Sequence, residues 1–423
     1  MYKVDVISEF RQRNLIAQIT KEKQLIHKIK NTNISMYCGF DITADSLHIG
    51  HILPLLCLKR FQNSGHKPII LIGGATSLIG DPSFKISERK LNSITLINEW
   101  TDIITHQVST FLDFNPHFNS AVIVNNYEWF KNLSVLKFLR TIGKHFSVNK
   151  MIAKDAVKKR INRIDTGISF TEFSYNLLQA YDFSVLYHKY GVTLQIGGSD
   201  QWGNIISGID LIRKLYSREV FGLTLPLLTQ KNGIKFGKTE KNTIWLDKRK
   251  TSPYKFFQYW INISDYNVYN FLKFFTTLSI LEIDKIASCN SILELNKSKI
   301  FLAEYLTRLV HGEHGVQSAK RISSCLFNSD VSKMQKSDFM QLEKDGIPSI
   351  LISGIRDLKQ VLVDSSLASS RTQARSMIIS NSISINNIKQ NNESYVFSKN
   401  DIFFKRYTLL SRGKKNFCLI CWE

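Results

Sequence analysis

The sequence predicts an α/β protein: a parallel β-sheet covered by helices, then an α-helical domain, then a small basic α+β domain. Three observations predict this fold. Short apolar segments that end in glycine or polar residues alternate with helical segments up to about residue 245, as in parallel sheets with helices on both faces. The alternation then stops, and aromatic-rich helical segments follow. The 53 residues from Arg371 onwards contain nine Lys/Arg but only three Asp/Glu.

The sheet follows a charged, helix-periodic N-terminal segment in which we expect an amphipathic helix. ISMYCGF predicts a first buried strand that breaks at Gly39, and three further strands are predicted in KPIILIGGAT, AVIVNN and GVTLQIGGSD. A helix should start near Ser46, with Asp45 or Ser46 as its N-cap. Pro54 falls inside this helix, where its missing N–H group should distort the second turn.

Two helical segments, YKFFQYWINISDYNVYNFLKFF and SKIFLAEYLTRLVHG, follow the sheet, and the second should end at Gly312. Their aromatic density favours core packing over base stacking. Residues 331–350 are polar and contain Gly and Pro, which predicts a linker. A helix in SSRTQARSMIIS and strands near SISIN and KNFCLICW complete the last domain. The expected domains are 1–245, 246–330 and 351–423.

Composition limits the class of protein. The 423 residues with 43% apolar content suffice for several hydrophobic cores. No segment has the ~20 apolar residues of a membrane span, and the N-terminus does not resemble a signal peptide, so we expect a cytoplasmic protein without membrane contact. The six cysteines are scattered and should be reduced. Cys418 and Cys421 form a CxxC pair without two further ligands nearby, which favours a buried terminal strand over a metal site.

The formal net charge of +21 favours a polyanionic partner, with solubility or biased composition as the alternative. The position of the charge is more informative than its total. Because the excess of Lys/Arg is concentrated after Arg371, the last domain is the best candidate for contact with nucleic acid.

His48 and His51, in DSLHIGHILP, would lie on nearly the same face of a helix, so one ligand could contact both. A metal, a core position and a phosphate all fit this spacing. No third ligand supports a metal, whereas a helix start directly after a buried strand favours an anion. Gly50 would also let a nucleotide approach. Phosphate binding is therefore favoured over metal binding, and a core role stays open.

A second segment, KNGIKFGKTEKN, follows the strand LTLPLL and contains Lys235 and Lys238. Alone, it would be interpreted as a solvated charged loop. Together with the histidines, it predicts a loop that closes over a triphosphate and neutralises developing charge. In parallel sheets, ligands bind beyond the carboxyl ends of the strands, and these ends are rich in glycine and polar residues here.

HIGH after a first strand and KFGKT at Lys235 to Thr239 resemble the two signatures of class I aminoacyl-tRNA synthetases. The second differs at three places from the usual Lys-Met-Ser-Lys-Ser but keeps both lysines. YCGFDITADSLHIGH, LIGGATSLIGDPS, VNNYEW, GISFTEFSYNLLQAYDF and LQIGGSDQWGNI resemble the bacterial tyrosyl-tRNA synthetase family in order. LASSRTQARSMIISNSISIN resembles the small RNA-binding domain that this family shares with a small-subunit ribosomal protein. The resemblance covers nearly the whole chain and implies a Rossmann-like catalytic domain.

The resemblance implies a two-step reaction. The tyrosine carboxylate attacks the α-phosphate of ATP and releases pyrophosphate, and the tyrosyl-adenylate then esterifies the 3′-terminal ribose of tRNA(Tyr). Such chemistry needs positioning and charge stabilisation more than an enzyme nucleophile. The resemblance assigns six residues to the phosphates, the adenylate and the pyrophosphate: His48, His51, Lys235, Lys238, Lys85 and Arg89. Mg²⁺ is expected to accompany ATP, without a protein-held metal site.

The resemblance also assigns the substrate contacts. Tyr37 and Asp182 should bond the tyrosine phenol, and phenylalanine should be rejected because it would leave these buried groups unpaired. The other residues assigned to tyrosine are Tyr175, Gln179 and Asp81 at the ammonium group, Gln195 and Gln201 at the reacting end, and Asn126 at the pocket edge. Those assigned to adenosine and its ribose are Gly39, Asp41, Thr43, Gly198 and Asp200. A homodimer that binds tRNA across both subunits is also implied.

Three alternatives stay open at this point. A tryptophanyl-type synthetase shares the fold and both signatures, but Tyr37, Asp182 and the basic C-terminal domain argue against it. A structural RNA-binding protein would not need the full set of site residues. A nucleotidylyltransferase with an HxGH helix would explain neither the tyrosine pocket nor the basic domain. Ile42, Phe84 and Pro54 depart from the family pattern, and we expect them to tune ATP affinity or loop movement.

Overall fold

The computed structural model describes residues 5–81, 93–154, 157–158, 161, 167–228, 243–289, 291–328, 330–354 and 356–423. The chain forms two compact units: one comprises Met1–Ile244 with Tyr269–Lys285, and the other comprises Trp245–Val268 with Ile286–Glu423. The helical segment is shared between the two units.

The first unit contains a sheet of six strands among the described residues, in the order β1-β6-β5-β2-β3-β4. Strands β2 to β6 are parallel, as predicted, and β1 pairs antiparallel with β6. Gly39 does not end β2, because the pairing with β3 continues to Asp41, opposite Gly73. The strands are β1 (Gln18–Ile19), β2 (Ser35–Asp41), β3 (Lys67–Gly73), β4 (Val122–Asn125), β5 (Val192–Gly198) and β6 (Phe221–Leu225).

Helices of the first unit pack against this sheet and bury its apolar strands. The expected N-terminal helix is two helices, separated by β1. The first is capped by Asp5, whose side chain accepts a hydrogen bond from Ser8 N at 3.1 Å. The helices of this part of the chain are α1 (Val6–Gln12), α2 (Glu22–Asn31), α3 (Ile52–Asn63), α4 (Thr76–Ile79), α5 (Ile94–Ser109), α6 (Tyr127–Phe130), α7 (Val135–Thr141), α8 (Val148–Ile152), α9 (Phe170–Tyr190) and α10 (Trp202–Tyr216).

The segment with the two histidines begins differently from the prediction. A 3₁₀ turn at Ile49–His51 precedes α3, and its N-cap is His48. The expected caps Asp45 and Ser46 were wrong; Ser46 is buried and its hydroxyl accepts a hydrogen bond from Gln107 Nε2 at 3.2 Å. Pro54 is the third residue of α3, where an N–H group would have no partner within that helix, so it removes no hydrogen bond of α3.

The middle of the chain is helical, as predicted. Four of the five aromatic residues of α11, including Tyr254, Phe256 and Trp260, are buried, which confirms core packing. The long helix α14 is interrupted at Gly312, where φ is +71°, so the predicted end at this glycine is confirmed as a break in helical geometry. The helices are α11 (Pro253–Ile261), α12 (Val268–Phe275), α13 (Ile280–Ser288) and α14 (Ile292–Asn328).

Residues 331–350 are not an extended polar linker in the structure. They contain α15 (Lys336–Gln341), followed by a wider helical turn at Leu342–Gly346. Phe339 and Leu342 are fully buried in one core with Tyr254 and Tyr407. The segment therefore contains a short amphipathic helix that its polar composition did not indicate.

A second sheet lies in the C-terminal part, with the strand order β7-β11-β10-β8-β9. Cys418 and Cys421 both lie in β11, which confirms the buried terminal strand, and they belong to different apolar cores. Side chains three residues apart on a strand point to opposite faces. The elements are β7 (Ser349–Ile352), α16 (Leu358–Asp364), α17 (Arg371–Ile379), β8 (Ile383–Ile385), β9 (Ile388–Lys389), β10 (Tyr407–Arg412) and β11 (Asn416–Trp422). Among the described residues, no helix is long and apolar enough to cross a membrane.

Candidate active site

A buried polar group forms where β2, β4 and α9 meet. Asp182, on α9, accepts hydrogen bonds on both carboxyl oxygens: from Asn126 Nδ2 at 3.1 Å and from Trp129 Nε1 at 2.8 Å. Asn126 follows β4 and is itself held by Ala75 N, which donates to its Oδ1 at 2.7 Å. The carboxyl group therefore has a fixed orientation inside the protein.

Tyr37 lies on β2 close to Asp182. Burial raises the pKa of Asp182 to about 8, the charge of Asp41 adds to this shift, and the bonds from Asn126 and Trp129 oppose it. Burial also raises the pKa of the Tyr37 phenol, and the charge of Asp182 contributes. Neutral forms of both groups are therefore favoured near neutral pH.

Two polar atoms in this region are buried without a hydrogen-bond partner in the described part of the chain: the Tyr37 hydroxyl and Gln195 Oε1. Tyr37 on β2 is directly opposite Gln195 on β5. Buried polar groups are normally paired, so two adjacent exceptions point to a ligand that supplies the missing partners.

Thr76 links this buried polar group to the carboxyl end of β2. Its hydroxyl accepts a hydrogen bond from Asn126 Nδ2 at 3.1 Å and donates to Asp41 Oδ1 at 2.8 Å. The other carboxyl oxygen of Asp41 accepts from the Tyr175 hydroxyl at 2.6 Å. The chain of bonds thus brings together residues from three strand ends and α9, and it includes Asp41 and Tyr175, which the sequence had assigned to different parts of the ligand.

A second network connects α9, the start of α10 and Asp81. Gln201 Nε2 donates to Asp81 Oδ2 at 2.7 Å, and Gln179 Nε2 donates to Gln201 Oε1 at 3.1 Å. Asn204 Nδ2 donates to Gln179 Oε1 at 3.0 Å. Asp81, Gln179 and Gln201, which are far apart in sequence, are therefore within one hydrogen-bonded group.

His48 and His51 are adjacent, with 4.0 Å between their ring centroids. His48 Nδ1 accepts from Gly50 N, and His51 Nδ1 accepts from His48 N, both at 3.1 Å. Because an accepting ring nitrogen carries no proton, each neutral ring has its proton on Nε2. The turn can therefore donate an N–H group from each ring, as binding of a phosphate oxygen requires.

Gly50 has a local role that the sequence did not reveal. A Cβ atom at this position would lie 2.9 Å from His48 Cε1 and 3.0 Å from His48 Nδ1. Glycine here therefore makes room for the imidazole ring of His48, in addition to any space that it leaves for a nucleotide.

The structure does not describe the lysines that are predicted to bind phosphate, but it describes the residues that follow the lysine segment. Lys85, Arg89, Lys235 and Lys238 lie outside the described residues, as does Phe84. Ile244, six positions after Lys238, accepts a hydrogen bond on its carbonyl oxygen from Ile49 N at 3.1 Å. The chain that follows the lysines is thus bonded to the turn that contains the histidines.

The residues assigned to adenosine differ in their surroundings. A Cβ atom at Gly39 would meet only Leu71, at 3.9 Å, so packing does not require glycine there. Thr43 is exposed, whereas Gly198 and Asp200 are half-buried at the end of β5. Ile42 is fully buried, and its N–H group donates to Ser77 Oγ at 2.6 Å.

Three residues of these networks were missed by the sequence reasoning: Thr76, Trp129 and Asn204. All three lie inside segments that carried the resemblance: GGAT, NNYEW and SDQWGNI. Each contacts other site residues. Their presence within these segments was the only available signal.

Comparisons with known proteins indicate the family of this chain. Residues 29–328 match the family model of class I tRNA synthetases for W and Y, and residues 338–420 match the C-terminal domain model of tyrosine–tRNA ligases. The chain is similar to the tyrosine–tRNA ligase of Buchnera aphidicola subsp. Baizongia pistaciae, with 62% identity over 99% of this chain and 98% of that protein. It is 58% identical to the Escherichia coli tyrosine–tRNA ligase, over 99% of both chains.

A solved structure, that of a C-terminally truncated mitochondrial tyrosyl-tRNA synthetase from Aspergillus nidulans, superposes with a TM-score of 0.68 at 29% identity. It covers 77% of this chain and 94% of the truncated one. The chain therefore belongs to the class I tRNA synthetases. Its extensive identity to the bacterial enzymes and its C-terminal domain are those of a tyrosine–tRNA ligase, which joins tyrosine to tRNA with ATP as a substrate.

Proposed function

We propose that the buried polar group around Tyr37 and Asp182 binds tyrosine while the carboxylate of the bound tyrosine attacks the α-phosphate of ATP. Pyrophosphate leaves, and the tyrosyl group of the adenylate then passes to the 3′-terminal ribose of tRNA(Tyr), releasing AMP. The observation that carries this proposal is the buried hydroxyl of Tyr37 beside Asp182, which has no hydrogen-bond partner among the residues that the structure describes. A phenol placed between these two groups would both donate and accept a hydrogen bond.

Selectivity for tyrosine follows from this arrangement. Phenylalanine has the same ring but no hydroxyl, so it would leave Tyr37 and Asp182 without the partner that tyrosine supplies. Asn126 supports the pocket edge through its bond to Asp182. Gln195 would help to orient the substrate at its reacting end. Its Oε1 atom is also buried and has no partner in the described part of the chain.

Tyr175, Gln179 and Asp81 are assigned to the ammonium group of tyrosine. Gln201 is assigned to the reacting end of the substrate. Tyr175 donates to Asp41, so the oxygen of its hydroxyl can still accept a bond from the ammonium group. Gln179 and Asp81 offer a carbonyl oxygen and a carboxylate, which suit a cation. The hydrogen bonds among them support a common site.

ATP is assigned to the turn that contains the two histidines and to residues at the ends of β2 and β5. His48 and His51 would donate from Nε2 to the phosphates and the adenylate, while adenosine and its ribose would be held by Gly39, Asp41, Thr43, Gly198 and Asp200. Lys235 and Lys238, with Lys85 and Arg89, would stabilise the leaving pyrophosphate. The bond from Ile49 to Ile244 supports this role, since it fixes one end of the lysine segment at the histidine turn.

Mg²⁺ is proposed to arrive bound to ATP. Within the described ranges, no group of three His, Cys, Asp or Glu side chains could hold a metal ion. No step of the proposed reaction is assigned to a protein-held metal.

The remaining proposals concern partners and location. Residues 1–245 would carry the chemistry, residues 246–330 would form the helical part, and the basic residues of 351–423 would bind tRNA.

A homodimer is supported by α7, which exposes Val135, Leu136 and Leu139. Leu136→Asp should shift sedimentation towards a monomer, whereas Lys137→Ala on the same helix should not. For its location we propose the cytoplasm.

ATP–pyrophosphate exchange, with tyrosine, phenylalanine and tryptophan supplied separately, tests the proposed function. Exchange should depend on tyrosine and be far slower with the other two amino acids. Exchange that is independent of tyrosine would contradict the assignment, and exchange driven equally by tryptophan would contradict the phenol pocket.

A further inference from the structure

Asn204, at the start of α10, contacts both glutamines of the substrate network. Its Nδ2 donates to Gln179 Oε1 at 3.0 Å and to Gln201 Oε1 at 3.4 Å. We propose that Asn204 is a positioning residue that holds the Gln179 amide in the orientation needed to bind the ammonium group of tyrosine. This inference rests on the proposed assignment of Gln179 to that group.

The hydrogen bonds of this network all run in one direction, from donor to acceptor. Asn204 donates to Gln179, Gln179 donates to Gln201, and Gln201 donates to the carboxylate of Asp81. An ionised carboxylate can only accept, so Asp81 fixes the direction at one end. Asn204 provides an NH₂ donor at the other end. Between the two ends, each glutamine has one favourable orientation of its amide.

The orientation of Gln179 matters because an ammonium group can only donate. The carbonyl oxygen of Gln179 has two lone pairs, so it can accept from Asn204 and from the ammonium group together. A reversed amide would offer its NH₂ group instead, which would repel the substrate cation. Without Asn204, only the bond from Gln179 Nε2 to Gln201 Oε1 opposes this reversal, so the orientation of the Gln179 amide is held less firmly.

A purely structural role for Asn204 is less well supported, because α9 and α10 are fastened independently nearby. Lys154 Nζ donates to Asn176 Oδ1 on α9 at 2.8 Å and to Gly203 O on α10 at 2.9 Å, and it also bonds the Ser207 hydroxyl. A Cβ atom at Gly208 would lie 2.9 Å from the ring of Phe183, which shows close helix packing. Loss of the Asn204 side chain should therefore leave the helices in place.

Ligands that differ only at the amino-acid end test the proposal. Asn204→Leu should bind L-tyrosine and tyramine about tenfold more weakly than the original protein. Its dissociation constant for 3-(4-hydroxyphenyl)propionate, which lacks the ammonium group, should change less than about twofold. Ser207→Ala, one turn further along α10, is the matched control and should leave all three constants unchanged. An equal loss for all three ligands, or no loss, would overturn the proposal.

Asn204→Asp tests the requirement for a donor. Aspartate has nearly the same size, and an acidic residue in the first turn of a helix is compatible with folding. It offers only acceptors to Gln179 and Gln201, so tyrosine and tyramine should again bind about tenfold more weakly. Unchanged or tighter binding of tyrosine by this variant would overturn the positioning role.

Gln179→Leu separates this inference from the proposed function. If Gln179→Leu weakens the two amines selectively and Asn204→Leu does not, only the role of Asn204 fails. If Gln179→Leu shows no such selectivity, the assignment of Gln179 to the ammonium group fails, and the role of Asn204 fails with it. The double variant should bind tyrosine no more weakly than Gln179→Leu alone, and additive losses would overturn the coupling.

Discussion

The hydroxyl group of Tyr37 should reduce the stability of the ligand-free protein and increase its selectivity. Without ligand, this hydroxyl is buried and has no hydrogen-bond partner within the described residues. Tyr37→Phe removes it but keeps the aromatic ring, which packs against Phe183 with 5.3 Å between ring centroids. The substitution therefore changes one polar group and preserves the packing.

The expected magnitudes follow from hydrogen-bond energies. An unpaired buried hydroxyl costs about 1–3 kcal/mol, so Tyr37→Phe should raise the free energy of unfolding by about 1 kcal/mol or more. With tyrosine bound, the hydroxyl gains a partner worth about 0.5–1.5 kcal/mol, so kcat/KM for tyrosine should fall about 2- to 12-fold. For phenylalanine the hydroxyl stays unpaired, so kcat/KM should be unchanged.

Thermal unfolding and pyrophosphate exchange measure the two effects. The melting temperature of Tyr37→Phe should rise by about 2 °C, while the tyrosine-to-phenylalanine ratio of kcat/KM falls. Tyr190→Phe is the control, because Tyr190 lies at the exposed end of the same helix as Asp182, and it should change neither quantity. A lower melting temperature for Tyr37→Phe, or an unchanged ratio, would refute the reasoning.

Three further predictions concern other parts of the site. Because the pKa of Asp182 is raised from 3.8 to about 8, its contribution to stability is fully present at low pH and is lost as pH rises towards that value. The melting temperature of Asp182→Asn minus that of the original protein should therefore increase as the pH rises from about 5 to 8. A difference that stays constant over this range would contradict the reasoning. Gly50→Ala should displace the His48 ring and slow pyrophosphate exchange about tenfold, with tyrosine binding, measured by equilibrium dialysis, unchanged. Lys235→Ala should slow adenylate formation, measured in single turnovers, far more than it weakens tyrosine binding; equal losses would argue against its proposed role.

The parallel sheet could be predicted because buried strands of this kind are largely apolar segments, as β3 is. The break at Gly312 was also predictable, since glycine after a periodic apolar segment commonly ends a helix. The two-residue β1 could not be found, because it pairs through its backbone and has no periodic pattern. Residues 331–350 were misjudged because few of their residues are apolar, although Phe339 is fully buried.

The site could be predicted only as a set of residues. The spacing of His48 and His51 indicated a common ligand, but the prediction placed both inside a helix. In the structure, His48 precedes the helical turn and caps it with its own imidazole ring. Asp and Ser are much commoner caps than His, so the sequence favoured Asp45 or Ser46. Contacts between distant segments, such as that of Trp129 with Asp182, leave no periodic signal in one sequence.

The carboxyl groups of Asp182 and Asp41 have different surroundings, and one chain of hydrogen bonds connects them. Asp182 is buried and largely neutral near neutral pH, while the charge of Asp41 helps to raise its pKa. Asn126 and Thr76 lie between them, and Thr76 bonds Asp41 at 2.8 Å. A Cβ atom at Gly73 would lie 2.5 Å from Thr76 Oγ1 and would overlap Asp41 Oδ1, so this bond requires glycine at the end of β3. The end of β3 thereby fixes Asp41, which is proposed to bind the ribose, while Asp182 stays a neutral acid where the tyrosine phenol is proposed to bind.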